Sequence, residues 1–104
     1  MSISVRIPFQ GTEESFPLAS SDMFKRFWLP GAKALNLQWV KQFDACELRP
    51  ENLIPITNEL CQLKEWFYKT QPADTARALA DRIDRVLPAL EGLKAEKNFT
   101  IWIG

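Results

Sequence analysis

The sequence predicts an α+β fold. It reads as a two-layer domain, a small, mainly antiparallel sheet of three to four strands packed by two long helices and one shorter kinked helix. Three observations predict it. Apolar residues alternate at both ends of the chain, Ile3, Val5, Ile7 and Phe9 at one and Phe99, Ile101 and Ile103 at the other. That is the two-residue period of a half-buried strand. Leu53, Ile56, Leu60, Leu63 and Phe67 recur instead by threes and fours. So do Ala76, Leu79, Ile83, Val86, Leu90 and Leu93, the stripe of a helix that buries one face. At 104 residues the chain is one domain, 1–104.

The first strand spans residues 2 to 9, with Ser4 and Arg6 on its outer face. Residues 10 to 14 are polar, include Gly11, and predict a turn. Ser15-Phe16-Pro17-Leu18 reads as a brief extended piece that Pro17 confines to a sheet edge. Ser20-Ser21-Asp22 offers an N-cap to a helix carrying Met23, Phe24, Phe27 and Trp28. Pro30-Gly31 should kink that helix, and Asn36 should close it in the left-handed region. Alternation of Leu37, Trp39, Lys41 and Phe43 predicts a strand over 37–43, and residues 44 to 49 a polar loop. Pro50 suits the first position of the next helix and Glu51 the positive end of its dipole. Pro55 leaves two possibilities, a distorted first turn or a helix that starts at Pro55 itself. Thr70-Gln71-Pro72 ends this helix, and the last one runs from 73 to about 96 with Pro88 on its outer face. A C-terminal strand closes the chain.

Composition excludes more than it identifies. Thirteen Lys/Arg balance thirteen Asp/Glu, so no net field draws nucleic acid or an anionic membrane. Histidine is absent, which removes the commonest metal ligand and the commonest general base. Cys46 and Cys61 form no CxxC pair, cannot by themselves complete a zinc site, and read as two buried, reduced thiols. The four glycines build neither a phosphate loop nor a dinucleotide fingerprint, and no serine sits in a GxSxG elbow. The expectation is therefore no catalytic residue, no metal, no cofactor and no enzyme. No apolar run reaches bilayer length and Arg6 interrupts the N-terminal one, so the expected location is the cytoplasm.

Two features point toward a protein partner. Asp44, Glu47 and Glu51 crowd into eight residues. They read either as an acidic patch for a basic partner or, more simply, as a solvated loop followed by a helix-dipole acid. Four tryptophans are a heavy load for this length. Trp28 and Trp39 suit the core. Trp66 falls at the flank of its helical stripe, and Trp102 points opposite to Ile101 and Ile103. A part-exposed tryptophan is a good interface anchor, and Trp66 is the one taken with the three acids as the candidate partner-binding set. Cover by a neighbouring element is the plainer reading of both.

Phe24-Lys25-Arg26-Phe27-Trp28-Leu29-Pro30 with Leu35-Asn36-Leu37, then Leu60-Cys61-Gln62-Leu63-Lys64-Glu65-Trp66, then Phe99 to Gly104, resemble stretches of small bacterial immunity proteins of polymorphic-toxin systems. That resemblance implies a stoichiometric cytoplasmic inhibitor of a toxin domain, often encoded beside it. The chain departs from the acidic immunity proteins of nucleases in having zero net charge. The leading expectation is thus a non-enzymatic protein-binding module, monomeric or weakly dimeric. The alternative is a small homo-oligomeric accessory protein that pairs through the edge of its isoleucine-rich terminal strands.

Overall fold

A computed structural model describes residues 2–9, 12–43, 46–93 and 101–104. It has the predicted two layers. Strands β1 (Ser2–Phe9), β2 (Thr12–Ser20), β3 (Cys46–Leu48) and β4 (Ile101–Ile103) form one sheet in the order β2-β1-β4-β3, with every neighbouring pair antiparallel. Helices α3 (Leu53–Thr70) and α4 (Ala73–Gly92) make an antiparallel hairpin in the second layer. The inward residues of the strands, among them Ile3, Val5, Ile7, Cys46, Leu48, Ile101 and Ile103, join both helical stripes in one core.

The terminal strands β1 and β4 are interior to the sheet, and its edges are β2 and β3. Among the described residues, β1 pairs with β2 along its length and with β4 at Val5 and Arg6, and β4 pairs with β3 along its length, so the isoleucine-rich strands are not the edge strands of the sheet. Strand β2 begins at Thr12, earlier than its polar sequence suggests, and pairs with β1 from Phe9 opposite Thr12 to Ser2 opposite Ser20. A register shift between Ile3 and Ser4 leaves Leu18 as the extra residue beside Pro17. An edge next to a bulge is where a sheet tolerates proline.

Ser20 Oγ accepts from the Met23 N–H at 3.2 Å and starts α1 (Ser21–Met23). The chain then widens into a π turn over Phe24–Trp28 and continues as α2 (Leu29–Ala34). The π turn lies directly ahead of Pro30. In an α-helix the proline ring would press on the carbonyl of Arg26 four residues back, and the wider turn relieves that contact. Helix α2 ends in a Schellman motif. Leu37 N–H donates to Ala32 O at 2.8 Å and Asn36 N–H to Lys33 O at 3.3 Å, while Asn36 takes the expected left-handed conformation, φ 55°.

Two local expectations fail. Residues 37–43 are a turn leading into a short 3-10 helix, Val40–Gln42, not a strand. The buried residues are Leu37, Val40 and Phe43, a three-residue period, whereas the alternating set would have buried Lys41, which is exposed. The predicted loop after it contains β3, with Cys46 and Leu48 inward and Glu47 outward. Of that segment, Asp44 and Ala45 lie outside the described residues.

The Pro55 conflict resolves as a distorted start. Pro50–Asn52 is a 3-10 turn closed by Arg49 N–H to Asn52 Oδ1 at 3.1 Å, and Pro55 sits in the first turn of α3, where backbone N–H groups have no partner inside the helix. Pro88 lies in α4 on its exposed face, and the predicted α4 stripe is buried from Ala76 to Leu93. The continuation of this helix toward 96, and Phe99, lie outside the described residues.

Candidate functional site

The open face of the sheet carries the candidate site. Strand alternation turns one residue in two away from the helices, and the register lines these outward residues up. Ser15 on β2 lies opposite Arg6 on β1, Arg6 opposite Trp102 on β4, and Trp102 opposite Glu47 on β3. All four are exposed, and Trp102, a large apolar residue in an interior strand, is 46% exposed. Directly paired residues place their Cβ atoms about 5 Å apart. The indole is thus bracketed by a guanidinium on one side and a carboxylate on the other. Because β4 is paired to both neighbours, the backbone beneath the indole is held while the ring remains in solvent.

Of the residues singled out from sequence, Glu47 joins this row. Glu51 is exposed in the 3-10 turn that follows β3, and Asp44 lies outside the described residues. Trp66 belongs elsewhere. It is half-buried where α3 meets α2, its ring 5.8 Å from that of Phe67 and packed across Gly31. Trp28 is fully buried among Phe24, Phe43 and Phe67, and Trp39 is half-buried. Sequence reading missed Arg6 as part of the row, because only the register places a β1 residue beside a β4 residue.

It also missed Glu59, whose carboxylate ties α3 to the turn before β3. Glu59 is 8% exposed. Its Oε1 accepts from the N–H groups of Trp39 and Val40 at 2.9 and 3.0 Å, and its Oε2 from that of Gln38 at 3.0 Å. Three successive N–H groups converging on one anion form a small nest. The bonds hold residues 38–40 against α3. The signal in sequence was an acid inside the apolar stripe, at the i+3 position from Ile56 and one residue before Leu60.

Nothing in the described residues assembles a catalytic set. A groove of about 320 Å³ lies between β2 and α4, lined by Pro17, Leu18, Met23, Ala78 and Leu79 with Arg82 as its charged side chain. No acid–base pair converges there. No group of three or more His, Cys, Asp or Glu side chains suited to a metal ion occurs among the described residues. The Lys64 pKa is raised by its hydrogen bond to Asp84 on α4, an ion pair exposed enough to add little stability.

The two cysteines differ, against the expectation that both are buried. Cys46 is buried in β3 and Cys61 is exposed on α3. Burial pushes the Cys46 thiol above its ordinary value, which lowers its thiolate fraction at any given pH. Native protein at pH 8 is therefore expected to show one fast-reacting thiol toward a maleimide, lost in Cys61→Ser, with Cys46 reacting only slowly until the chain is unfolded. Two equally fast thiols would show that β3 does not shield Cys46.

Among the described residues, no helix is long and apolar enough to cross a membrane. Compared with protein-family models, with curated proteins and with solved structures, the chain matches none.

Proposed function

We propose that this protein is a non-enzymatic binding module that neutralises a protein partner in the cytoplasm, in the manner of an immunity protein acting on a toxin domain. The observation that carries the reading is Trp102, exposed on the open sheet face between Arg6 and Glu47. Tryptophan and arginine are the side chains that most often dominate an interface, since each removes a large surface from water and still offers a directional contact. Flanking charges of opposite sign set the register of a partner and the rate of encounter more than the final affinity. The acidic residues Glu47 and Glu51, with Asp44, favour a partner surface rich in lysine and arginine.

The test is co-expression with the product of the adjacent gene, scored by growth rescue and co-purification. Given a complex, Trp102→Ala is expected to weaken it at least thirtyfold, about 2 kcal/mol, with an unchanged melting temperature. Charge reversal of Asp44, Glu47 and Glu51 together is expected to slow association and to flatten its salt dependence. A complex that forms with undiminished affinity in Trp102→Ala places the interface elsewhere. A neighbour that is harmless alone and fails to co-purify removes the immunity reading for that pair.

A further inference from the structure

We propose that the groove between β2 and α4 binds a small monocarboxylic acid with a straight apolar chain. The two elements meet there with little to fill the seam. Strand β2 brings Leu18 and Ala19, and α4 brings Ala78 and Leu79. Alanine on each side leaves a groove of about 320 Å³. Leu18, Ala19 and Leu79 are buried beneath it, while Pro17, Ala78 and Met23 are exposed around it. Met23 is one of the four large apolar side chains exposed among the described residues, and it is the one that lines this groove. The bulge of β2 falls in the same stretch, with Leu18 as the extra residue beside Pro17. Bulges on edge strands re-aim side chains and are frequent next to active sites.

The occupant follows from charge. Arg82 is the charged residue of the lining. It takes no part in the ion pairs among the described residues, which join Lys64 to Asp84 and Arg85 to Asp81. Its own helix offers it no acid one turn away, because the residues three and four positions off are Leu79, Ala78, Arg85 and Val86. The nearest acids in the chain, Asp81 and Asp84, are held by those other cations. An apolar groove with one uncommitted guanidinium fits a ligand that carries one negative charge at its end and is apolar along the rest. A carboxylate meets the arginine fork with two parallel N–H donors. A phosphate dianion would call for a second free cation, which the lining lacks.

Size limits the chain length. A volume of 320 Å³ is at the small end of the range for ligand sites, roughly 300–1,000 Å³. From Pro17 to Ser20 the strand covers about 10 Å, which matches an extended chain of about eight carbons at roughly 1.25 Å per bond. The groove lies at the β2 edge, with β1 between that edge and the strand of Trp102. Binding there needs no protein partner and is independent of the sheet-face reading.

Methyl NMR spectra of the full chain, recorded during titration with sodium octanoate at fixed ionic strength, test the proposal. The Met23 and Ala78 methyl signals are expected to shift together, with half-saturation between about 0.1 and 1 mM. Octanamide has the same shape and no charge, and is expected to bind about fivefold more weakly. Arg82→Gln is expected to erase that difference by weakening octanoate alone. Butanoate is expected to bind about tenfold or more below octanoate, since a fully buried methylene is worth about a fourfold gain. Ala78→Leu fills the groove from an exposed helix position and is expected to abolish the Met23 shift with an unchanged melting temperature. Methyl signals that stay still up to about 10 mM octanoate overturn the proposal. So does octanamide binding as tightly as octanoate, or undiminished binding in Ala78→Leu. The titration of the unaltered chain with the two ligands needs no variant, and it decides the matter should one of them misfold.

Discussion

Glu59→Ala is expected to lower the unfolding free energy by about 3–5 kcal/mol, a large share of what a domain of this size has. The residue is nearly buried and its carboxylate accepts three backbone N–H groups within 3.0 Å. Taking a carboxylate out of water is expensive, and only a full set of donors offsets it. Alanine leaves all three donors behind. Each buried donor left without an acceptor costs about 1–3 kcal/mol. The Val40 bond is buried and the other two are partly so, and water reaching Gln38 and Trp39 keeps the sum below the maximum. Glu59→Gln is expected to cost less, about 2 kcal/mol. It keeps one carbonyl oxygen but turns an amide N–H2 toward a backbone N–H. Urea denaturation with unchanged slope and a lower midpoint reads both values, and near-UV dichroism of Trp39 reads the released turn. A loss below about 0.5 kcal/mol in Glu59→Ala would show that the nest does not hold the turn.

Gly31→Val is expected to destabilise by about 3 kcal/mol, and Gly31→Ala by about 1–2 kcal/mol. Gly31 lies in α2 against α3. A Cβ built there stands 2.5 Å from Leu63 Cδ1 and 3.0 Å from Trp66 Cε3. Leu63 is fully buried, so its side chain can yield only by displacing other core residues. Alanine gains about 1 kcal/mol of helix propensity over glycine, which offsets part of the overpacking. Valine adds two methyl groups and recovers less. The two helices must then separate, or Trp66 must swing outward. A melting temperature lower by about 4–8 °C per kcal/mol is expected, together with a red shift of Trp66 emission. Gly31→Ala as stable as the parent would mean that α2 and α3 are not in the close contact described.

The two expectations bear on function through position. The Glu59 nest holds residues 38–40 on α3, and the pairing of β3 with β4 sets Glu47 opposite Trp102. The glycine contact seats α2 on α3 and uses the ring of Trp66 as packing. Trp66 read as a partner anchor from its place at the flank of the helical stripe. Trp102 is the more open of the two, and its strand has only three described residues. A helical wheel locates a residue relative to its own helix and says nothing of the glycine on the neighbouring helix that admits the ring.

What the sequence determined by itself was local and periodic. Strict alternation places β1, threefold and fourfold spacing places α3 and α4, Ser20 and Asn36 mark the ends of a helix, and Pro72 separates the hairpin. Each follows from steric and burial rules acting within a few residues. Tertiary structure decided the rest. Residues 37–43 alternate well enough to read as a strand, yet a carboxylate twenty residues downstream captures their N–H groups and winds them into a turn. Strand β3 is too short to announce itself, and it exists because β4 supplies the partner backbone. The row of Arg6, Trp102 and Glu47 draws on three strands distant in sequence. Register is a property of paired backbones, and no single segment contains it.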